Sequence, residues 1–186
     1  IERFLREGRA AARVRHPHVV DVTDVGVEGG VPYLVMELLE GETLAASLRR
    51  RASLPVAEAL DVLVPVLAAV DAMHRAGVVH RDLKPDNIFL ARSLGAVVPK
   101  VLDFGVCRPD DAEARGASSR GGLVGTPYYL SPEQVDGARG DARSDQHALG
   151  VVLYECLCGA RPYEAPTLLG LLARIREARF DDPRTR

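Results

Sequence analysis

The sequence predicts an α+β fold with a small strand region followed by a larger helical one. Three observations predict it. Ile1, Phe4, Leu5, Ala11 and Ala12 recur at helical spacing at the start of the chain. Two β-branched runs follow, Val19 to Val27 and Val31 to Met36, split by Gly29-Gly30. Beyond Gly41 the apolar pattern is mostly helical, with short strand-like runs set among turn residues.

Taken in order, residues 1–13 read as a helix that His16-Pro17 stops, because the residue before proline disfavours helical backbone. The two β-branched runs read as antiparallel strands joined at the glycine pair. A short helix is expected from about Thr43 to Arg50. A long one follows, with Ser53 as its cap and Pro55 in its first turn, running to about Arg75 and ending at Gly77. Val78-Val79, Ile88 to Leu90 and Val98 to Leu102 read as short strands. Residues 109–122, charged and rich in glycine and serine, read as a mobile loop. Ser131-Pro132-Glu133-Gln134 has the form of a capping box. Helices are expected over about Asp145 to Leu157 and Thr167 to Ala178, and residues 181–186 read as a cut end.

Composition narrows the class. The chain has 186 residues, 47% hydrophobic and 27% charged, which suits one domain with its own core and argues against disorder throughout. A formal net charge of −2 supplies no basic surface for nucleic acid or anionic membrane. Three irregularly spaced cysteines, Cys107, Cys156 and Cys158, are no disulfide framework and point to a reducing cytoplasm. The most apolar stretch, Val56 to Met73, carries Glu58, Asp61, Pro65 and Asp71 and reads as a buried helix, not a membrane span. Cys156-x-Cys158 falls inside an expected helix and reads as core. His16, His18, His74 and His147 are scattered.

The chemistry concentrates in His80-Arg81-Asp82-Leu83-Lys84-Pro85-Asp86-Asn87. Read blandly, this is a polar turn in which Asp82 and Asn87 satisfy backbone groups. Two further segments argue for more. Asp103-Phe104-Gly105 lies sixteen residues after Asn87, behind the apolar Val101-Leu102. Gly125-Thr126-Pro127-Tyr128-Tyr129-Leu130-Ser131-Pro132-Glu133 follows, and then Ser144-Asp145 opens an apolar helix with Leu149, Gly150, Leu153 and Glu155. Together these resemble the H-R-D-x-x-x-x-N catalytic loop, the D-F-G motif, the G-T-x-x-Y-x-[AS]-P-E segment and a later helix of eukaryotic-type serine/threonine protein kinases. Ser131 stands where alanine is commoner.

The resemblance implies a protein kinase-like fold with an incomplete N-lobe, 1–38, comprising helix C, later strands and the hinge strand. A mostly helical C-lobe over 39–186 would be incomplete at its C-terminal end. It implies transfer of the ATP γ-phosphate to Ser or Thr of protein substrates, with Mg2+, in the style of bacterial signalling kinases. Asp82 would accept the hydroxyl proton, Lys84 would sit near the γ-phosphate, and Asn87 and Asp103 would hold magnesium. Arg81 would meet a phosphate on the mobile loop, for which Ser118 and Ser119 are candidates, and Thr126 would favour a Ser or Thr acceptor. His80 and Phe104 would belong to an apolar spine. Asp145 would cap its helix and brace the catalytic loop. Glu133 would lack its family partner, an arginine past Arg186.

Upstream, Glu7 would be the helix C glutamate, against the plainer reading of a solvated pair with Arg3. Met36 would be the gatekeeper, the backbone of Glu37 and Leu39 would bond adenine, and Phe89 would lie beneath the ring. The family's glycine-rich loop and its strand lysine do not occur in the sequence, so the chain reads as a fragment that binds ATP poorly alone. A pseudokinase-like binding scaffold is the main rival; an aminoglycoside-type small-molecule kinase ranks lower, since that type resembles H-G-D. The expected location is cytoplasmic, with tethering of a full-length protein left open, and the expected partners are ATP and protein substrates but neither nucleic acid nor a membrane segment of this chain.

Overall fold

The computed structural model describes residues 1–93, 95–103 and 127–185, the side chains of Arg3 and Glu7 excepted. Helix α1 (Glu2–Ala11) lies on a two-stranded antiparallel sheet, β1 (Val22–Glu28) and β2 (Val31–Met36), in which Gly26 faces Tyr33 and Glu28 faces Val31. Gly8 of α1 sits so close to Val25 that a side chain there would collide with it. Positive φ at both Gly29 and Gly30 makes the turn between the strands.

β1 starts three residues later than the valine run suggests. Val19 and Val20 are fully buried and attach elsewhere: Val20 N–H donates to the Val101 carbonyl (3.0 Å), and Val101 N–H donates to the His18 carbonyl (2.9 Å). Two successive valines cannot both face the core of one half-buried strand, so they serve a different partner.

A second antiparallel sheet runs β3–β4–β5, with β3 (Gly41–Thr43), β4 (Ile88–Ser93) and β5 (Ala96–Val101). Gly41 is required there: its φ is +149, and a Cβ would overlap the Leu90 carbonyl oxygen. The Thr43 hydroxyl accepts from Ala46 N–H (3.1 Å) and caps α2 (Leu44–Arg51).

The long helix α3 (Val56–Arg75) begins at Pro55, not at a Ser53 cap. Ser53 N–H is drawn back to the Arg51 carbonyl, and Pro55, which lacks an N–H, takes the cap position. α3 is also only half buried. Ala59, Leu63, Val66, Ala69, Val70 and Met73 face inward, while Val56, Leu60, Val64 and Leu67 form an exposed stripe at 46–64% accessibility. α3 ends at Gly77 in a left-handed conformation. Val78 is no strand residue: its N–H turns back to the Met73 carbonyl.

Beyond the second sheet, a short helix α4 (Pro132–Val135) starts as the capping box predicts, with Ser131 N–H donating to Gln134 Oε1 (3.1 Å). Helix α5 (Ala142–Cys158) packs on α3 and ends at Gly159 in the left-handed region. Its cap is Asp141, whose carboxylate accepts from Arg143 N–H (2.8 Å), rather than Asp145, which lies in the first turn and points inward. Helix α6 (Leu168–Arg176) closes the order, capped by Thr167. The core joins both halves through Leu44, Leu63, Met73, Leu83, Ile88, Val101, Val152 and Ile175. Among the described residues no helix is long and apolar enough to cross a membrane.

Candidate active site

The loop between α3 and β4 carries the site. It is anchored on Asp145, a fully buried carboxylate. His80 N–H donates to its Oδ2 (2.9 Å) and Arg81 N–H to its Oδ1 (2.7 Å). His74, in the last turn of α3, reaches the same Oδ2 with Nε2 (2.7 Å). A buried carboxylate needs such donors, because an unpaired charge in the core is strongly unfavourable.

His80 is itself buried and bridges two segments. Its Nδ1 accepts from Asp82 N–H (3.2 Å), which fixes the proton on Nε2, and Nε2 donates to the Leu102 carbonyl (2.8 Å). Burial holds this imidazole below its ordinary pKa, despite Leu102 and nearby carboxylates pulling the other way. Leu102 N–H in turn donates to the Asn87 carbonyl (2.9 Å). One imidazole thus joins the loop to the strand that delivers Asp103.

Within the loop, Lys84 Nζ lies 3.0 Å from Asp82 Oδ2. Asn87 Nδ2 donates to the Asp82 carbonyl (2.9 Å) and lies 3.5 Å from Oδ2. Asp82 and Lys84 side chains are 24% and 18% exposed, so the pair is shielded yet reachable. Arg81 and Asp103 both have positive φ, +65 and +52. Such backbone is uncommon for non-glycine residues, though Ala52 and Ala178 share it, and it gathers at functional sites. Arg81 Nε donates to the Gly140 carbonyl (3.1 Å), and its own carbonyl accepts from Gln134 Nε2 (3.2 Å).

Oxygen donors suited to a hard cation are present. Asn87 spends its amide nitrogen on Asp82, which leaves its side-chain oxygen, and Asp103 adds an exposed carboxylate. Two protein ligands match magnesium, which keeps its remaining positions for phosphate oxygens and water. Among the described residues no cluster of three or more His, Cys, Asp or Glu side chains forms a closed metal site.

The segment after β2 is built more lightly. Met36 ends β2, 41% exposed, and Leu38 is 94% exposed, while Leu39 packs against the core. Glu37 N–H is taken by the Asp21 carbonyl (2.9 Å), so any base contact at Glu37 falls to its carbonyl. Phe89 lies half-buried in β4, opposite Thr43 on one side and Lys100 on the other. Lys100 was not singled out in the sequence, yet its Nζ meets Glu37 Oε1 at 2.5 Å, and Asp21 N–H donates to the same oxygen (2.8 Å). A lysine between Pro99 and Val101 in a short strand gave no signal of this. His74 was likewise missed, because a histidine at the end of a helix reads as an ordinary surface residue.

Glu133 is not partnerless: its Oε1 accepts from the Ser144 hydroxyl (2.6 Å). Burial would raise this carboxyl, but the hydroxyl and backbone hydrogen bonds outweigh it and lower the pKa. Nearby, Tyr129 hydroxyl donates to Glu155 Oε2 (2.6 Å), and the Arg161 guanidinium stacks 3.6 Å over the Tyr128 ring. Cys156 is buried in the core and its thiol is pushed up to about 12 by burial. Phe104, Ser118, Ser119 and Thr126 lie outside the described residues, as does the side chain of Glu7, which sits on α1.

Comparison with known proteins identifies the family. The family described as Protein kinase domain matches residues 1–179. Serine/threonine-protein kinase pkn2 of Myxococcus xanthus is 42% identical over 178 residues, 95% of this chain and 21% of its own length. Serine/threonine-protein kinase PknL of Mycobacterium tuberculosis is 42% identical over 184 residues, 99% of this chain and 44% of its own length. A probable serine/threonine-protein kinase of Clostridium perfringens is 37% identical over 163 residues, 88% of this chain and 23% of its own. The chain therefore spans less than half of these relatives, and it belongs to the protein kinase family.

Proposed function

We propose that the protein containing this chain transfers the γ-phosphate of ATP to serine or threonine hydroxyls of protein substrates in a bacterial signalling role. The observation that carries this reading is the set of polar groups around Asp82: Lys84 Nζ at 3.0 Å, Asn87 on its carbonyl, and a backbone held by a buried carboxylate. Phosphoryl transfer asks for positioning and charge neutralisation more than covalent chemistry. In this reading the substrate oxygen forms its bond to phosphorus as the bond to the ADP oxygen breaks, and Asp82 accepts the hydroxyl proton. Lys84 sets a positive charge beside the transferred group. Asn87 and Asp103 would hold magnesium, which neutralises phosphate charge when bound.

Residues 1–38 would supply part of the N-lobe and 39–186 the C-lobe. Adenine would lie between Met36, the Glu37 carbonyl, Leu39 and Phe89. Arg81 would meet a phosphorylated side chain from residues 104–126, with Ser118 and Ser119 as acceptors and Thr126 as a substrate-facing residue.

The test uses the full-length protein with γ-labelled Mg-ATP and a generic protein acceptor. We expect label on Ser or Thr, and a fall of at least about a hundredfold in Asp82→Asn, the loss typical of a missing general base. A folded wild type as silent as Asp82→Asn overturns the reading and leaves a binding scaffold.

A further inference from the structure

We propose that Arg161 is a specificity-determining residue of the acceptor site: its guanidinium, laid over the Tyr128 ring, takes the seat beside Glu155 that an arginine or lysine of the substrate would otherwise fill, so the protein selects acceptors without a basic neighbour. The kinetic half of this inference rests on the phosphoryl-transfer reading above, to which it adds the class of substrate.

A cluster of opposite charges adjoins the reactive loop. Asp86, an exposed residue, stands in the turn Pro85–Asn87, between Lys84 and Asn87. Glu155 lies in the last turn of α5, and Glu164 is exposed a few residues beyond it. Glu155 Oε2 accepts from the Tyr129 hydroxyl (2.6 Å), which leaves Oε1 for another donor. Burial raises the Glu155 carboxyl; the Tyr129 hydroxyl and Arg161 lower it, and Asp86 and Glu164 raise it again. Asp86, Glu164 and Arg161 therefore all act on Glu155, and of these only Arg161 is positive.

Arg161 supplies charge to this cluster without sealing it. Its guanidinium carbon lies 3.6 Å from the Tyr128 ring centre, and Glu164 Oε1 is 3.8 Å from Nε, too far for a hydrogen bond. The side chain is 29% exposed, so it rests against the surface instead of reaching into solvent. Arg50, by contrast, closes directly onto both oxygens of Glu42, at 2.6 and 2.7 Å. A hollow of about 390 Å³ opens beside Tyr128, Arg161 and Glu164, with room for a substrate side chain. A second guanidinium entering it meets the first at close range, and like charges in a shielded site oppose each other. A neutral or acidic neighbour meets no such cost. Selection of this kind is a difference between two affinities, set by what the site repels as well as by what it attracts. An arginine that merely packs on Tyr128 would leave that difference alone when replaced.

The experiment compares wild type, Arg161→Ala, Arg161→Gln and the double variant Arg161→Ala with Glu155→Gln in the full-length protein. Gln at 161 keeps a planar group for the Tyr128 ring and removes the charge. The acceptors are peptides with one serine or threonine, flanked either by alanines alone or by a single arginine placed at each nearby position in turn. Affinity is read by fluorescence anisotropy of the labelled peptide, and kcat and KM are read with Mg-ATP. In wild type we expect the best arginine peptide to stay within about threefold of the alanine peptide. In Arg161→Ala and Arg161→Gln its advantage should rise by roughly tenfold, in affinity and in KM, and fall back when Glu155→Gln is added. A wild-type preference already as large, an advantage that rises in neither single variant, or a rise that survives Glu155→Gln overturns the inference. Equal loss of both kinds of peptide in both single variants also overturns it and marks Arg161 as packing alone. If wild type transfers no phosphate but the affinity ratio shifts as expected, the phosphoryl-transfer reading fails while the selection by Arg161 stands.

Discussion

The loop around Asp82 and the segment after β2 are held in different ways. The loop is held by donors converging on one fully buried carboxylate, and by a buried imidazole that spans to β5. The segment at 37–40 is held by the partly exposed Glu37 carboxylate, shared by Asp21 N–H and Lys100, and by backbone bonds from Glu37 N–H to the Asp21 carbonyl and from Arg92 N–H to the Glu40 carbonyl, with Leu38 almost wholly in solvent. The difference matches what each would be asked to do. Aiming a proton acceptor tolerates little movement. Receiving and releasing a flat ring requires give, and an ion pair near the surface restrains without fixing.

Three changes break or sharpen this contrast. The largest is Asp145→Ala, which removes the acceptor shared by the His80 and Arg81 N–H groups and His74 Nε2. We expect a loss of about 3–5 kcal/mol, read by chemical denaturation, the range for removing one partner of a buried charged network. A loss below about 1 kcal/mol would mean the loop stands without its anchor.

Lys100→Met is the counterpart on the other side. Glu37 keeps the Asp21 N–H, so we expect only about 1–2 kcal/mol, since the pair is partly exposed (16% and 30%). A loss equal to that of Asp145→Ala would erase the distinction between the two regions.

The third effect is on pH. Burial lowers the pKa of His80 and of His147 below the ordinary 6.5, so the folded protein keeps both neutral where the unfolded chain binds protons. Their contribution is therefore fully present above pH 6.5 and fades as pH falls below it, by at most about 1.4 kcal/mol per pH unit for each group. Denaturation midpoints at pH 7.5 and 5.5 should show the lower value at 5.5. Equal midpoints would mean that neither imidazole is held neutral by the fold.

Much of this was legible in the residues. Fixed chemistry at fixed spacing singled out His80 to Asn87 and Asp103 as the candidate site, and local hydrogen bonding announced the Ser131–Gln134 box and the glycine end of α3. The misses share a cause, which is dependence on a distant partner. Val19 and Val20 read as strand until Val101, more than eighty residues later, claims them. Asp145 and Asp141 are both acceptable caps by sequence. Only the arrival of residues 74, 80 and 81 turns one of them inward. The stripe of Val56, Leu60, Val64 and Leu67 looks like core in one dimension, because periodicity shows which residues share a face and not what stands opposite it.

The positive φ angles of Arg81 and Asp103 carry a lesson for anyone re-engineering this molecule. A stabilisation campaign that scores positions by backbone comfort would select these two together with Ala52 and Ala178, since glycine relieves the conformation at each. Arg81 and Asp103 both belong to the candidate site, so glycine at either would remove a side chain that the proposed reaction uses. Robustness is better sought at the surface of α3, where exposed valines and leucines can become polar without disturbing the tension stored around the loop.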